Sequence, residues 1–424
     1  MKLSPEKQRR FALEVVEKLR TAGYESYWAG GCVRDQLLGI VPKDYDVATI
    51  ATPEQVQELF GRRRTLPIGA AFGVICVVGP KGAGQIEVAT FRQDLGYTDG
   101  RRPDAVAYCS AKEDALRRDF TINGLFYDPT EEQVIDFVDG QKDLAAGLVR
   151  AIGDPAERFE EDKLRMLRAV RFASTFDFTL DPATAEVIQR MAPEVTVVSA
   201  ERIAVEMEKM LTHPNRTVAL RLLRETKLLD VVLPDPAAFW EENPDRFEPT
   251  LAVLSQLDPV EREPDDGEDR SAMAVAMVTL LREAVDAETL EQIGRRWKLS
   301  NRVIGRAVWL LKNQAVVRRA ASLRWSELQP ILIEPGIADL LCMSEAVATI
   351  EPDLQAGISH CRDRLALPPD ELNPAPLLDG SDLLRLGHPP GPNLGRLLAL
   401  IRTAQLDGQI STREEALRMV EEAR

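Results

Sequence analysis

The stretch that decides the fold is residues 28–49, WAGGCVRDQLLGIVPKDYDVAT. Asp44 and Asp46 stand one residue apart among apolar and β-branched neighbours, and this pattern predicts a strand in which both side chains point to the same face. Two carboxylates side by side repel each other unless a cation lies between them. Because oxygen ligands favour hard divalent cations, we predict that Asp44 and Asp46 bind Mg²⁺.

Two glycines, Gly30 and Gly31, precede the aspartates. Glycine lets the backbone approach a ligand closely, and the N–H groups of such a turn suit a phosphate. A single Gly-Gly pair is usually only a turn, and a single D-x-D pair is more often a solvated strand edge than a metal site. Together within 17 residues, and with Arg34 available for the triphosphate or the ribose, they indicate transfer of a nucleotide.

A further carboxylate lies in a segment that predicts a strand at residues 85–90. There Glu87 alternates with Ile86 and Val88, so the apolar pair faces one way and the carboxylate faces the other. If this strand lies beside the aspartates, Glu87 becomes a third carboxylate at the metal site, where two-metal catalysis uses such groups. The alternative is a solvated strand face.

Residues 117–123, RRDFTIN, form the next motif. Arg117 and Arg118 carry planar, permanently charged donors that suit the oxygens of a triphosphate and of a pyrophosphate leaving group. Asp119 could orient an arginine or a ribose hydroxyl. Its alternative role is the N-cap of a helix.

Residues 161–172, EDKLRMLRAVRF, predict a helix on which Asp162 and Arg165 are three positions apart and therefore adjacent. By spacing alone, such a pair is usually an ordinary surface ion pair. Arg168 and Arg171 continue the series. At about 100° per residue, Arg171 lies about 180° from Asp162 around the helix axis, which favours a role with phosphate or in the structure over contact with a base.

The composition is that of a globular, water-soluble protein of 424 residues with 45% hydrophobic and 29% charged residues, and no apolar run reaches the length of a membrane span. The five cysteines have no paired spacing and the N-terminus lacks the apolar segment of a signal peptide, so we predict a cytoplasmic protein. Three widely separated histidines argue against zinc. The net charge of −15 argues against a nucleic-acid partner, but residues 1–230 carry only −4 of it and include basic clusters.

Strand patterns occur early in the chain and helical patterns follow, which predicts an α+β head on an all-α remainder. We place the head at residues 1–150, a helical neck at residues 151–230, and a helical body and tail at residues 231–424. Residues 258–270, DPVEREPDDGEDR, are acidic and aperiodic and predict a loop within the helical part.

These motifs resemble the signatures of the class II CCA-adding enzymes and bacterial poly(A) polymerases, a branch of the polymerase-β-like nucleotidyltransferases. RRDFTIN matches the family motif residue for residue, which implies nucleotide contacts for Arg117, Arg118, Asp119 and Asn123. Residues 161–165 match the family pattern E-D-x-x-R. Residues 199–211, SAERIAVEMEKML, resemble the neck helix that supports that segment.

The resemblance implies Mg²⁺-dependent addition of CMP and AMP, from CTP and ATP, to the 3′ end of tRNA without a nucleic-acid template. Asp162 and Arg165 would bind the Watson–Crick edge of the incoming base, and the helical tail would hold the tRNA by shape. Neither a membrane nor zinc is implied, and the oligomeric state is left open.

Three alternatives accompany this interpretation: an enzyme that adds only CC or only A, a poly(A) polymerase, and a catalytically silent RNA-binding relative. Residues 91–103 resemble a full-length family loop, which CC-adding enzymes tend to shorten. Residues 63–69 lack the Phe and His of the G-R-R-F-x-x-x-H segment that is typical of poly(A) polymerases. The presence of both Asp44 and Asp46 disfavours a silent relative.

Overall fold

The computed structural model describes residues 4–68, 73–95, 105–257 and 271–422. The chain divides into two compact units, Met1–Ala237 and Ala238–Arg424. Among the described residues, all strands belong to the first unit and the second unit is helical, which confirms the predicted α+β class. The predicted loop at residues 258–270 and most of the predicted loop at residues 91–103 lie outside the described residues.

The strands of the first unit are short, and the longest has six residues. They are β1 (Ser26–Ala29), β2 (Asp46–Thr49), β3 (Thr65–Leu66), β4 (Val74–Val78), β5 (Gln85–Thr90), β6 (Arg92–Leu95), β7 (Ala105–Tyr108), β8 (Phe126–Asp128), β9 (Gln133–Ile135), β10 (Leu148–Val149) and β11 (Thr179–Leu180).

Seven strands form one mixed sheet in the order β3-β4-β5-β2-β1-β8-β9. At its centre β2 runs parallel to β5 and antiparallel to β1. The register of the parallel pair places Asp46 opposite Glu87. Glu87 is exposed while Ile86 and Val88 are buried, as the alternation of the sequence predicts. The sheet therefore brings the predicted third carboxylate beside the D-x-D motif.

The first three helices of the first unit pack against this sheet. The helices of the described part of this unit follow here in chain order. They are α1 (Pro5–Thr21), α2 (Gly31–Leu37), α3 (Pro53–Phe60), α4 (Ala111–Leu116), α5 (Gly140–Ala145), α6 (Pro155–Glu161), α7 (Leu164–Phe176), α8 (Pro182–Met191), α9 (Ala200–Leu211), α10 (Arg216–Glu225), α11 (Leu228–Val232) and α12 (Pro234–Glu242), of which α12 extends into the second unit.

The described part of the second unit consists of helices and the connections between them. The helices are α13 (Phe247–Ser255), α14 (Ser271–Leu281), α15 (Ala287–Arg296), α16 (Asn301–Arg319), α17 (Trp325–Leu332), α18 (Ile337–Ala348), α19 (Leu354–Leu365), α20 (Pro369–Leu372), α21 (Gly380–Arg385), α22 (Pro392–Leu406) and α23 (Arg413–Glu422). The longest of them, α16, packs against α14, α15, α18 and α19. No helix of the described residues is both long and apolar enough to cross a membrane.

Local sequence signals explain where several helices begin. The Thr52 side chain accepts a hydrogen bond from the backbone N–H of Gln55, and the Gln55 side chain accepts one from the N–H of Thr52. Ser110 and Glu113 form the same reciprocal cap at the start of α4. Each pair satisfies two donors that a helix end otherwise leaves without partners. The chain enters α3 and α4 at these capped positions.

The predicted strand through the D-x-D motif is too long at its start, because β2 begins at Asp46 and Asp44 precedes it. The last residue of β1 is Ala29, which pairs with Asp46. Gly30 then takes a positive φ of 71° and the chain turns into α2. Residues before Asp46 therefore have no partner on β1, and the two aspartates do not share one strand face.

The packing of α19 against α16 generates a stability prediction. A Cβ on buried Gly357 of α19 would overlap the backbone oxygen of Val317 in α16 and lie 2.9 Å from its carbonyl carbon. We expect Gly357→Ala to lower the free energy of unfolding by about 1–3 kcal/mol, because two backbones would have to separate.

Gly305 of α16 is a matched control, since a Cβ there meets no atom within 4 Å. Gly305→Ala should leave the protein unchanged or stabilise it by up to about 1 kcal/mol, as expected for an exposed helical site. Thermal unfolding of both variants, followed by circular dichroism, measures the difference. Equal midpoints for the two variants would contradict the close helix crossing.

Candidate active site

A cavity of about 520 Å³ in the first unit collects the residues that the sequence singled out. It is lined by parts of α2, β2, the segment after α4, α7 and α9. The lining residues are Gly30, Gly31, Arg34, Asp46, Arg117, Arg118, Asp119, Asn123, Asp162, Leu164, Arg165, Arg168, Arg171, Phe172 and Arg202. All eleven predicted nucleotide-contacting residues are among them, whereas the predicted Asp44 and Glu87 are not.

The glycine turn lies at the start of α2. A Cβ on Gly30 would lie 2.9 Å from the Arg118 Nη1 atom, and the φ of 71° is itself unfavourable for other residues. A Cβ on Gly31 would meet only the Arg34 guanidinium, at 3.6 Å. The positive φ therefore favours glycine at position 30, close to Arg118, whereas position 31 lines the cavity and a side chain there would make only an ordinary contact with Arg34.

Arg34 is buried, and three residues fix its guanidinium. Its Nη1 donates to Asn123 Oδ1 at 2.6 Å, and its Nε and Nη2 donate to Asp35 Oδ1. The guanidinium carbon also lies 4.5 Å from the centre of the Phe176 ring. Arg34 thereby connects the glycine turn to Asn123 of the RRDFTIN motif.

Asp114 of α4 holds the two arginines of the RRDFTIN motif. Its Oδ1 accepts from Nε and Nη2 of Arg117, and its Oδ2 accepts from Nε and Nη2 of Arg118, at 2.7–3.2 Å. Burial favours the neutral acid, but the charges of Arg118 and Arg117 prevail and keep the pKa of Asp114 below its usual range. One buried carboxylate thus orients two cations toward the same cavity.

Asp114 and Arg117 also hold the backbone of Arg92 at the start of β6. Asp114 Oδ1 accepts from the Arg92 N–H at 3.2 Å, and Arg117 Nε donates to the Arg92 carbonyl at 2.8 Å. Asp114 was not predicted from the sequence. Its signal was the spacing of three and four residues to Arg117 and Arg118, which is the spacing of neighbours on a helix.

Asp119 pairs with Arg168 across the cavity. Its Oδ2 accepts from Arg168 Nε at 2.9 Å and from Nη2 at 2.5 Å, and its Oδ1 accepts from the Asn123 amide at 3.1 Å. Burial opposes ionisation, yet Arg168 outweighs it and lowers the pKa of Asp119 to about 2. The N-cap position of the following turn belongs to Phe120, so the helix-cap alternative is wrong.

The predicted helix through residues 161–172 is interrupted at Asp162. Helix α6 ends at Glu161, Asp162 is extended with φ −152° and ψ 104°, and α7 begins at Leu164. Both Asp162 oxygens accept from Arg202 of α9, at 3.1 and 2.6 Å, and Oδ1 also accepts from the Leu164 N–H. The predicted adjacency on one helix is therefore wrong, because a partner on another helix holds Asp162 in the junction.

Arg165 has partners of its own. Its Nη1 donates to Glu161 Oε2 at 2.5 Å and to the Arg158 carbonyl at 3.0 Å, and its Nη2 donates to the Arg117 carbonyl at 3.3 Å. Its side chain is only 11% exposed. The surface ion pair considered as the alternative does not form, since Asp162 binds Arg202 and both groups face the cavity.

Arg171 also lines this cavity, so its predicted position on the far side from Asp162 is wrong. The angle of 180° assumed one continuous helix, and the break at Asp162 removes that assumption. Arg171 Nε donates to Glu206 of α9 at 2.5 Å, and the Glu206 side chain is 4% exposed. This buried ion pair agrees with the structural role that the sequence allowed for Arg171.

Arg202, Leu164 and Phe172 line the cavity without having been predicted. Arg202 lies in the segment at residues 199–211 whose resemblance to a supporting neck helix was recognised. Its role was not predicted because its partner, Asp162, lies forty residues away, and no local spacing connects the two. Leu164 and Phe172 looked like ordinary core positions of a helix.

The carboxylates lie at the edge of this cavity. Burial raises the pKa of the half-buried Asp46 to about 7, the charges of Asp44 and Glu87 add to the rise, and Arg118 opposes it. Asp44 and Glu87 are exposed. Among the described residues no three acidic, histidine or cysteine side chains are already arranged to hold an ion.

This arrangement nevertheless fits a divalent cation. A cation would offset the repulsion that raises the pKa of Asp46. Mg²⁺ commonly binds through one or two carboxylates and completes its shell with water and substrate phosphates. Two aspartates beside an arginine-rich cavity supply such a set.

The cavity as a whole favours anions. Seven arginines line it against three aspartates. Several of the guanidiniums are held by carboxylates, which leaves their remaining donors in fixed directions. Such a surface suits a polyphosphate at one end, while Asp162 and Arg165 offer an acceptor and a donor to a planar polar group at the other.

Three family models match the chain. Residues 26–150 match the poly A polymerase head domain, residues 177–239 match the "probable RNA and SrmB-binding site of polymerase A", and residues 269–420 match domain 2 of tRNA nucleotidyltransferases. Together they span the head, part of the neck and most of the helical remainder.

Among curated proteins, the CCA-adding enzyme of Lacticaseibacillus paracasei is 35% identical over 403 residues, covering 94% of this chain and 92% of that protein. Poly(A) polymerase I of Haemophilus influenzae is 38% identical over 275 residues, covering 62% of this chain and 60% of that protein. The crystal structure of the Bacillus stearothermophilus CCA-adding enzyme in complex with CTP superposes with a TM-score of 0.74 at 29% identity, covering 100% of this chain and 98% of that one. By its identity to curated relatives over nearly its whole length, the chain belongs to the family of CCA-adding enzymes.

Proposed function

We propose that this chain adds CMP and AMP to the 3′ end of tRNA, using CTP and ATP, without a nucleic-acid template. The observation that carries the proposal is the single cavity in which Asp46, the arginines of RRDFTIN and the Asp162–Arg202 pair meet. The reaction forms a bond between the RNA 3′ oxygen and the α-phosphorus of the nucleotide, and breaks the bond from that phosphorus to pyrophosphate.

The phosphate end of the nucleotide would lie between the glycine turn and the RRDFTIN arginines. Arg117 and Arg118 are oriented by Asp114, so little ordering cost remains when they bind a triphosphate. Gly30 and Gly31 allow the α2 backbone to approach the same phosphates. As pyrophosphate leaves, these cations stabilise the charge that develops on it.

The base would contact Asp162 and Arg165. Arg202 holds both oxygens of Asp162, and Oδ1 also accepts from the Leu164 N–H, so Oδ2 is the oxygen that would accept from the exocyclic amine shared by cytosine and adenine. Arg165 is fixed by Glu161 and two carbonyl groups and would donate to a ring nitrogen or carbonyl. Because uracil and guanine present a carbonyl where cytosine and adenine present the amine, the carboxylate would reject them.

Asp119, Asn123, Arg168 and Arg171 would shape the middle of the cavity. For Asp119 the geometry supports the orientation of an arginine over contact with a ribose hydroxyl, since its oxygens already accept from Arg168 and Asn123. Arg168 in turn would present its remaining donors to the nucleotide. Arg171, anchored by Glu206, would support the wall beside it.

Asp44 and Asp46 would hold Mg²⁺, with Glu87 as a third carboxylate beside them. When bound, the ion supplies charge stabilisation at the α-phosphate and lowers the pKa of the attacking 3′ hydroxyl. The register that places Glu87 opposite Asp46 supports its assignment to this group.

The division into a head at residues 1–150, a neck at residues 151–230, and a body and tail at residues 231–424 that binds tRNA is part of the proposal. Family-model boundaries at residues 26–150, 177–239 and 269–420 support it. A cytoplasmic location is also proposed, and the five free thiols suit a reducing compartment.

The extent of similarity favours CCA addition over poly(A) synthesis. The CCA-adding relative aligns over 94% of the chain, against 62% for the poly(A) polymerase. The deciding assay supplies tRNA that lacks CCA, CC-ended tRNA and complete tRNA, with each NTP singly. Extension of the first by CMP and of the second by AMP is expected, and repeated AMP addition to complete tRNA would overturn the proposal.

Removal of the half-buried carboxylate tests the metal assignment. We expect Asp46→Asn to reduce incorporation of both CMP and AMP at least about 100-fold, because metal binding supplies several kcal/mol to the reaction. We expect Mg²⁺ to raise the thermal unfolding temperature of the wild-type protein, and Asp46→Asn should abolish that rise. Glu58→Gln, an exposed change on α3, is the control and should alter neither. A Mg²⁺-dependent shift that survives in Asp46→Asn would exclude Asp46 as a ligand.

Base selection can be tested by substitution of the two residues that would contact the base, Asp162 and Arg165, and of Arg202, which holds Asp162. Asp162→Ala and Arg165→Ala should reduce the preference for CTP and ATP over UTP and GTP by about tenfold or more, since unpaired polar groups no longer penalise the wrong base. Arg202→Ala should act in the same direction, because it frees the Asp162 carboxylate. The measurement is kcat/KM with all four NTPs, and exposed Arg190→Ala is the control. Wild-type selectivity in all three variants would refute this assignment.

The Asp119–Arg168 pair predicts a pH dependence of stability. Because the folded-state pKa of Asp119 is lowered from 3.8 to about 2, its stabilisation is complete above the unfolded-state pKa and disappears as the pH falls toward 2. Asp119→Asn should therefore cost about 2 kcal/mol of unfolding free energy at pH 7 and progressively less between about pH 4 and 2.

Urea unfolding at several pH values measures this difference. Asp177→Asn is the matched control, since Asp177 is an exposed residue at the end of α7 with a positive φ that asparagine also tolerates. It should unfold like the wild type throughout. A cost for Asp119→Asn that stays constant down to pH 2 would contradict the lowered pKa.

A further inference from the structure

A second concave surface, separate from the nucleotide cavity, also reaches the D-x-D motif. This groove of about 560 Å³ lies where β4 ends and β5 begins, between the turn of the β4–β5 hairpin and the segment that leads into β2. Its polar lining includes Lys43, Asp44, Lys81 and Gln85. Among these residues only Asp44 belongs to the machinery described above.

The two aspartates therefore open onto different spaces. Asp46 lines the nucleotide cavity, whereas Asp44 lines the groove. Gln85 and Glu87 are both exposed and stand two positions apart on β5, so they share one face of the strand. Glu87 therefore lies on the strand face that Gln85 contributes to the groove, two positions beyond the groove lining.

A transfer reaction requires two substrates that meet at one metal site. If the nucleotide fills the cavity on the Asp46 side, the attacking hydroxyl has to arrive from another direction. The groove reaches the same motif at Asp44, and it has no lining residue in common with the nucleotide cavity. Its position suits the second substrate.

The chemistry of the groove suits a phosphodiester strand. Lys43 and Lys81 are exposed, and Asp44 is the single acidic residue beside them in the lining. Lysine ammonium groups bind phosphate as point charges without reading bases. A tRNA terminus that changes sequence with each addition needs such base-independent contacts.

The far wall of the groove is held in place. The Ser4 N–H donates to the Gly82 carbonyl at 2.9 Å, which ties the hairpin turn to α1. A Cβ on Gly79 would lie 2.7 Å from the Phe11 ring and 2.9 Å from the Gly84 oxygen, so the turn packs against α1 without spare room. Lys81 is carried on this fixed turn.

We propose that the Lys43–Lys81 groove binds the backbone phosphates of the last nucleotides of the RNA strand and delivers its 3′ hydroxyl to Asp44 and Glu87. The inference rests on the proposed function, since it assigns a path to the RNA substrate of that reaction. It adds a binding site for single-stranded RNA outside the nucleotide cavity.

Cross-linking maps the path directly. A tRNA that lacks CCA is oxidised with periodate, so that its terminal ribose becomes a dialdehyde that condenses with nearby lysine amines, and the product is fixed with cyanoborohydride. With the full-length protein, peptide mapping should find the label on Lys43 or Lys81. Exclusive labelling of other lysines would overturn the proposal.

Binding measurements with variants complete the test. For Lys43→Ala and Lys81→Ala, the KM for tRNA should rise severalfold with little change in the KM for CTP. The slope of log Kd for the same tRNA against log salt should fall by about 0.7 for each lysine removed. Lys43→Arg should restore binding, because the charge rather than the shape is required. Exposed Lys112→Ala of α4 is the control and should match the wild type.

The outcomes separate the two proposals. Wild-type extension of the tRNA together with unchanged tRNA binding in both alanine variants rejects the groove and leaves the proposed function standing. A raised KM for CTP with normal tRNA binding assigns the groove to the nucleotide and rejects it as an RNA path. Failure of the wild-type protein to extend the tRNA overturns both.

Discussion

Seven arginines can line one cavity only if carboxylates hold them apart and in fixed directions. In this chain Asp114 holds Arg117 and Arg118, Asp119 holds Arg168, and Asp162 is in turn held by Arg202. The partners come from the head and from α7 and α9, so the ion pairs also join these elements. Without the acids, the repulsion of like charges and the desolvation of each guanidinium would oppose the fold.

The same pairing explains why the cavity can be selective. A guanidinium that is already hydrogen-bonded on two sides loses little freedom when a ligand arrives. Arg165, with Glu161 and two carbonyl groups around it, is the clearest example. Stability and pre-organisation therefore depend on the same contacts.

Local patterns predicted much of this arrangement. The strand at residues 85–90 has the predicted bounds, and the alternation around Glu87 correctly predicted that this side chain is exposed. The chemistry of short motifs, together with their resemblance to a known family, also identified eleven residues that meet in one cavity. These successes share a cause, because strand alternation and short motifs are encoded by neighbours in the sequence.

The errors concern long-range partners. Asp44 has no partner on β1 because that strand ends at Ala29, where the chain turns at Gly30, and Gly30 is 14 positions away in the sequence. The helix break at Asp162 is held by Arg202, forty residues later. Asp114 is a different case, because its partners are local. Its spacing of three and four residues to Arg117 and Arg118 is that of neighbours on a helix, and the sequence alone shows it.

The Phe172 ring affects how substitutions of the cavity arginines combine. The guanidinium carbons of Arg34, Arg168 and Arg171 lie 5.2, 5.2 and 4.0 Å from the centre of the Phe172 ring. A cation over an aromatic face is attracted by the ring quadrupole, and here three cations share one ring. Replacing any one of them alters the field and packing that the other two experience. The energetic effects of substitutions at these three positions are therefore coupled and will not add, so each position has to be interpreted in the context of the other two.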